Sequence, residues 1–231
     1  MRGEDLSKEQ KYQLVQADYD AIVSFYAERY NAAEEFRVQL ADFLSSLPKH
    51  AVVLDCGSGP GKEAHVLAQS AQKVVALDLS AAMLAKVKET NPLIETVHAN
   101  MNHLPFLAHC FDAIWCSRAI IHIPREDLAQ TIREFHRVLK PGGVLGLLFR
   151  IPDEDMLLKE EFLPETAPGS KHLVYYRNLY SEPYMTAILV GAGFLVEKKE
   201  AAVSRDEEIS LYVRARRAKD ERELPETTGE G

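Results

Sequence analysis

The chain has 231 residues, 46% of them hydrophobic, which is ample for one large core with an attached cover. Its formal net charge of −8 argues against a polyanion such as nucleic acid as the default partner. The longest apolar runs, such as residues 144–149, are far too short to cross a bilayer, and the opening MRGEDLSKEQ is charged with no apolar signal core.

Ser7-Lys8-Glu9-Gln10 has the form of a capping box and predicts a helix with Tyr12, Tyr19, Tyr26 and Tyr30 along its body. Asn31-Ala32-Ala33-Glu34 is a second box. It leads into Phe36, Leu40, Phe43, Leu44 and Leu47 at helical spacing, stopped by Pro48. The texture then changes. AVVLD (51–55) is a short β-branched run of the kind buried on both faces of a parallel sheet. Ala64, Leu67, Ala68 and Ala71 recur at helical spacing, and KVVALD (73–78) is a second buried strand. Ser80 caps a helix holding Met83, Leu84 and Val87, which Asn91-Pro92 breaks. IETVHAN (94–100) and FDAIWC (111–116) read as strands three and four. A helix from about Arg125 places Leu128, Ile132, Phe135 and Leu139 on one face. Pro141-Gly142-Gly143 predicts a turn before the fifth strand, VLGLLF. Strand and helix in alternation imply an α/β fold with a parallel sheet covered on both faces.

Residues 152–171 read as an irregular insertion. Ser181-Glu182-Pro183 opens another helix, closed by Gly191 or Gly193. FLVEKKEAAV and EEISLYVRARR form a final strand pair, and residues 217–231 are charged, apolar-poor and expected to be a disordered tail. Cys56, Cys110 and Cys116 are odd in number and lack metal-ligand spacing. Buried thiols for Cys56 and Cys116 fit a reducing cytoplasm.

The chemistry turns on VVLDCGSGPGKE (52–63). A phosphate-cradling P-loop requires glycine where Cys56 stands and a hydroxyl where Glu63 stands, so that reading fails twice. A dinucleotide fingerprint starting at Gly57 requires a third glycine at Lys62; the glycines fall instead at 57, 59 and 61. Asp55 ends the strand before this turn and Asp78 ends the next strand, where an acid typically accepts from ribose hydroxyls. Asp55 beside the turn disfavours a pyrophosphate and favours a ligand with a cationic group.

LDCGSGPG followed by VVALDLSAAMLAKVK resembles motifs I and II of the class I S-adenosylmethionine-dependent methyltransferases. HANMNHLPF, FDAIWCSRAIIHIP and FHRVLKPGGVLGLLF resemble that family's next three blocks in order. YYRNLYSEPYMTAILVGAGF resembles its small-molecule branch, the methyltransferase type 11-like group. The resemblance implies a Rossmann-like seven-stranded, mostly parallel sheet in the order 3-2-1-4-5-7-6, with strand seven antiparallel and an N-terminal helical lid. It divides the chain into one domain over residues 1–216: lid 1–48, cofactor core 51–150, and acceptor-side insertion and final strands 151–216.

S-adenosyl-L-methionine is the implied cofactor and a small molecule the implied acceptor, with neither nucleic acid nor membrane as partner. The resemblance assigns Gly57, Ser58, Gly59, Gly61 and Asp55 to the methionine end and Asp78 to the ribose. Leu79, Asn100 and Met101 go to the adenine, and Met83, Ser117, Arg118 and Tyr19 complete the cofactor site. Asn100 stands where the family commonly has Asp; an amide oxygen also accepts from the adenine amino group. His122 is the candidate general base, with packing or hydrogen bonding as its alternative role. Tyr26 follows Tyr19 on the same helix face. Tyr175, Tyr176, Arg150 and Arg177 are candidates for the acceptor wall, and His65 and His136 are expected to be surface or satisfied polar residues. Two other functions stay open at this point: a nicotinamide dehydrogenase, opposed by the glycine spacing, and a non-catalytic relative that keeps the cofactor site.

Overall fold

A computed structural model describes residues 6–29, 32–152, 158–164, 174–204 and 209–224. The first helix, α1 (Lys8–Arg29), starts at the predicted capping box: the Ser7 amide donates to Gln10 Oε1 at 2.7 Å and the Gln10 amide to Ser7 Oγ at 3.3 Å. Asn31 of the second box lies outside the described residues. The segment up to Pro48 holds two helices where the spacing predicted one, α2 (Ala32–Glu35) and α3 (Arg37–Ser45). The break falls at Phe36, whose non-helical backbone turns its ring into the core, where it is 1% exposed.

Seven strands form one sheet: β1 (Val52–Cys56), β2 (Lys73–Asp78), β3 (Glu95–His98), β4 (Phe111–Ser117), β5 (Leu139–Arg150), β8 (Phe194–Val203) and β9 (Ile209–Arg217). Their order is β3-β2-β1-β4-β5-β9-β8. The first five run parallel; β9 is antiparallel to both β5 and β8. This is the order that the resemblance implied. Side chains of each buried strand alternate between two cores. Leu54, Ile114 and Leu147 enter one core, with Leu128, Ile132 and Phe135 of α6 (Arg125–Val138). Val53, Trp115 and Leu148 enter the other, with Phe43 of α3 and Leu67 of α4 (Lys62–Leu67). Burial on both faces is why these strands read as continuous apolar runs.

Three sequence expectations need correction. Pro141-Gly142-Gly143 does not separate a turn from a strand. Strand β5 starts at Leu139 and takes up these residues as an irregularity, its partners on β4 jumping from Phe111↔Leu139 to Ala113↔Val144. Leu139 accordingly belongs to the sheet rather than to the face of α6. Residues 152–171 are not wholly irregular: β6 (Leu158–Pro164) pairs antiparallel with β7 (Val174–Tyr180) as a separate two-stranded sheet. The rest of that insertion lies outside the described residues. The charged end is ordered further than composition predicts: Arg217 completes β9, and a 3₁₀ turn comes after it at Glu221–Glu223. Residues 225–231 lie outside the described part.

The remaining caps agree with the sequence. Ser80 Oγ accepts from the Met83 amide at 3.1 Å to open α5 (Ala81–Thr90), and Ser181 Oγ accepts from Tyr184 at the start of α7 (Glu182–Gly191). Cys56 and Cys116 are buried thiols, and burial pushes both well above their usual titration range. Among the described residues, no helix is long and apolar enough to cross a membrane.

Candidate functional site

The strand order turns back on itself at β1, with β2 and β3 on one side and β4 and β5 on the other. Ligands of open α/β sheets bind at such a switch, beyond the carboxyl ends of the strands. The glycine turn stands there. Its backbone is anchored by the Gly57 and Ser58 amides, which donate to the Leu77 carbonyl at 2.7 and 3.0 Å. Gly57, Gly59 and Gly61 have φ of +77°, +51° and +82°, a region that only glycine occupies without strain. They serve different ends. A Cβ at Gly57 would lie 2.1 Å from the Ala119 Cβ, and one at Gly61 2.8 Å from Val87 Cγ2. Packing alone therefore demands glycine at both. A Cβ at Gly59 would meet nothing nearer than Tyr26 Cε1 at 3.9 Å. Of the three, only Gly59 faces open space.

That space is a cleft of about 630 Å³, its open mouth included. Gly57, Gly59, Asp78, Leu79, Asn100, Met101, Ser117, Arg118, His122 and Tyr19 all border it. Ten of the residues singled out from the sequence thus converge on one cavity. Ser58 lines an adjoining recess with Gly57, Gly59, Lys62, Glu63 and Arg118. Asp55, Gly61 and Met83 are absent from the cleft wall. Asp55 is 1% exposed at the end of β1, Gly61 packs on Val87, and Met83 is fully buried because the Ser80 cap turns it inward.

The acids around the turn share one electrostatic character. Asp78 accepts from the Gly59 amide and from the Ser80 amide, both at 2.8 Å. Burial nevertheless holds its carboxyl above the usual range. Asp55 is raised well above its ordinary value by burial first, then by Glu63 and Asp78, and its Oδ2 has no hydrogen-bond partner among the described residues. Glu63 is raised by burial while accepting from Trp115 Nε1 at 2.9 Å. Three carboxyls crowd beneath one turn. A cationic group there relieves their repulsion; a phosphate adds to it.

The opposite wall comes from α1. Tyr12, Val15, Tyr19 and Tyr26 fall at i, i+3, i+7 and i+14, and all four border the cleft. The sequence reading joined Tyr19 to Tyr26 but did not extend that face to Tyr12 and Val15, although the spacing carried the signal. Tyrosines among charges give only a weak hydrophobic pattern. Ala119 and Ile123 of the wall, and Asn102 and Asp127 behind it, left no sequence signal of their own.

Polar contacts hold α1 in place. Asp127 accepts from Lys8 Nζ at 3.0 Å, Tyr12 Oη at 2.8 Å and Asn102 Nδ2 at 2.9 Å. Against the cost of burial, Tyr12 and Lys8 keep its carboxyl below the usual range. Farther along α1, Ser80 Oγ donates to Asp20. Asp127→Ala is expected to lower unfolding stability by about 2–3 kcal/mol, because Asn102 and Tyr12 lose a buried charged acceptor. A urea titration gives the value.

His122 sits in a 3₁₀ turn (Ile120–His122) after β4 and is 7% exposed. Its Nδ1 is 2.8 Å from the Tyr176 carbonyl oxygen and its Nε2 2.8 Å from Tyr19 Oη. The Tyr19 ring meets the rings of His122 and Tyr26 edge-on, at centroid distances of 5.2 and 5.6 Å. Burial lowers the pKa of His122 to about 4, with Arg177 and Arg118 acting in the same sense. A histidine depressed in the folded state gives stability that is complete above its unfolded pKa near 6.5 and is lost as pH falls through about 4. His136, lowered to about 4 chiefly by burial, has the same sign. His122→Gln is therefore expected to flatten the acid loss of stability between pH 6.5 and 4 by about 2–3 kcal/mol. Urea midpoints across that window, compared with the unaltered chain, measure it.

Of the other acceptor-wall candidates, the Tyr176 ring is 1% exposed and takes Lys11 Nζ over its face at 5.4 Å; the Tyr175 side chain lies outside the described part. His136 is half-buried, packed edge-on against the Phe194 ring and close to Gly193.

Residues 53–143 match the family model described as a methyltransferase domain. The malonyl-[acyl-carrier protein] O-methyltransferase of Enterobacter lignolyticus is 34% identical over 123 residues, 52% of this chain and 48% of that protein. The chain thus spans about half the length of the curated relatives it matches. A solved Burkholderia thailandensis 1,6-didemethyltoxoflavin N1-methyltransferase, bound to S-adenosylhomocysteine, superposes with a TM-score of 0.75 at 16% identity, over 92% of this chain and 91% of that one. The [4+2]-cyclase SpnF superposes at 0.71 with 18% identity, over 90% and 97%. At such identities the structures share a fold, and the cyclase marks how far chemistry varies upon it. The matched core segment, the strand order with its antiparallel β9, and the glycine turn ending at Gly61 agree: residues 53–143 match a methyltransferase domain, and the chain shares its fold with a solved methyltransferase.

Proposed function

We propose that the chain transfers the methyl group of S-adenosylmethionine to a small-molecule acceptor. The observation that carries this is the stack of Asp55, Glu63 and Asp78 around a glycine turn whose one open position, Gly59, faces the cleft. That environment suits a ligand with an ammonium, a sulfonium and a ribose, and no phosphate. The buried Oδ2 of Asp55, lacking a partner among the described residues, is a place for the ammonium, met directly or through water. Gly57, Ser58 and Gly61 shape the turn around the amino-acid end, and the Arg118 guanidinium supplies charge for its carboxylate. Asp78 takes the ribose hydroxyls. Leu79 and Met101 flank the adenine, Asn100 meets its edge, and Met83 packs behind.

When bound, the cofactor supplies an activated methyl group whose leaving thioether is neutral, so the protein has little acid catalysis to perform. Alignment and exclusion of water are its main contributions. In this reading α1 is the lid: its four cleft-facing residues cover the site, and Asp127 and Ser80 tether it. The acceptor is a small molecule rather than nucleic acid, in keeping with the charge of −8. The reducing cytoplasm is the compartment we propose, where the thiols of Cys56 and Cys116 stay unmodified.

A nicotinamide cofactor is disfavoured by Lys62 at the third-glycine position of the dehydrogenase fingerprint. A non-catalytic binder is the alternative the fold allows. Two measurements test the proposal. Calorimetry should find S-adenosylhomocysteine binding at one site per chain. Incubation of methyl-labelled S-adenosylmethionine with a small-metabolite extract should then transfer label to an extractable product. Binding without transfer identifies a binder, and absence of binding removes the cofactor assignment.

A further inference from the structure

Two hydrogen bonds fix where the protons lie in one corner of the cleft. The Tyr176 carbonyl can only accept, so His122 Nδ1, 2.8 Å away, carries the ring proton. The lone pair of a neutral imidazole is then on Nε2, and Tyr19 Oη at 2.8 Å donates to it. A hydroxyl whose one proton is committed meets any further group as an acceptor. Both residues border the cleft, Tyr19 from α1 and His122 from the turn after β4. The pair joins the lid to the sheet at the cavity wall.

We propose that Tyr19 and His122 form a proton relay that selects methyl acceptors bearing O–H or N–H on the nucleophilic atom. This rests on the methyl-transfer reading above. In the reaction, a lone pair of the acceptor atom forms the new bond to the methyl carbon, and the C–S bond electrons leave with sulfur. The acceptor's proton passes to Tyr19 Oη as the Tyr19 proton passes to His122 Nε2, leaving neutral tyrosine and imidazolium. The imidazolium charge arises as the sulfonium charge is lost, so the cleft carries the same net charge before and after. This timing matters because Arg118 and Arg177 both act on the ring and favour its neutral form. A base so placed does not strip the acceptor in advance; it takes the proton as the neighbouring cation disappears. A carboxylate acceptor, in contrast, brings no proton and sets its own lone pairs against that of Tyr19.

Four probes on one ring test the selection: phenol and aniline, which carry a removable proton, and benzoate and N,N-dimethylaniline, which do not. With methyl-labelled S-adenosylmethionine, label is expected in phenol or aniline and at background in the other two. Tyr19→Phe should lower kcat on the proton-bearing probe about 100-fold, the size of a general-base contribution. His122→Gln should do the same, because its amide oxygen can accept from Tyr19 yet cannot take up a proton. His122→Gln should bind S-adenosylhomocysteine within about twofold of the unaltered chain, which a merely structural lesion would not allow. Four results overturn the relay: equal label in benzoate or N,N-dimethylaniline, no label in either proton-bearing probe, unchanged kcat in Tyr19→Phe, or unchanged kcat in His122→Gln. If the unaltered chain fails to bind S-adenosylhomocysteine, the cofactor reading falls and the relay falls with it.

Discussion

Gly59→Val should weaken S-adenosylhomocysteine binding about 100-fold or more, roughly 2.8 kcal/mol, while the chain remains folded. The new Cβ meets only Tyr26 Cε1 at 3.9 Å, so the protein has room for the side chain. The room is the cleft itself, and the branched methyls occupy the path of the ligand. Stability should fall by only about 1–2 kcal/mol, the cost of holding an L-residue at φ +51°. Gly57→Ala is the control with the opposite signature. Its single methyl would lie 2.1 Å from the Ala119 Cβ, so it should cost about 3 kcal/mol or more of folding stability. Adding Ala119→Gly should return part of that loss. Calorimetry and urea unfolding on these variants separate the two demands. If Gly59→Val binds normally, the cleft is not the ligand's seat.

Asp78→Ala should lower cofactor affinity about 5- to 150-fold, the range of a lost charged hydrogen-bond acceptor at 1–3 kcal/mol. The geometry adds a second route to the same loss. Asp78 holds the Gly59 amide on one oxygen and the Ser80 amide on the other, so the carboxylate also sets the turn and the start of α5. Asp78→Asn removes the charge and keeps one acceptor oxygen, while its NH2 group can no longer accept from the second amide. The pH dependence comes from the raised carboxyls. In the proposed reading, ribose hydroxyls and an ammonium bind the ionised forms of Asp78 and Asp55, so affinity should be greatest at neutral pH and fall on acidification through the raised carboxyl range. Asp78→Asn should show a shallower fall, the remainder belonging to Asp55 and Glu63. Isothermal titrations at several pH values read the slopes; affinity that rises on acidification would contradict the assignment.

Much of this was legible from local pattern. The strand–helix alternation, the Ser7, Ser80 and Ser181 caps and the placement of Asp78 at the end of β2 are short-range features, each dictated by a few neighbouring side chains. The glycine triplet marked the turn as well. It did not distinguish its members, because Ala119 and Val87, which demand glycine at positions 57 and 61, are 62 and 26 residues away in the chain. The insertion was misread for the same kind of reason. Strand β6 exists by pairing with β7, and a register between two segments is not written in either alone.

By itself, then, the sequence determined which segments become strands and helices, the acids at the ends of β1 and β2, and the misfit of the glycine turn to a phosphate-cradling loop, since these arise from residue type and spacing within single strand–turn–helix units. Tertiary structure alone decided that a polar, tyrosine-bearing helix forms one wall of the cleft, that Asp127 and Asn102 hold it there, and that Tyr19 reaches His122 across 103 positions. Such contacts depend on the direction of side chains brought together from distant segments. Hydrogen bonds of that kind leave no periodic trace in the chain, whereas burial of an apolar face does.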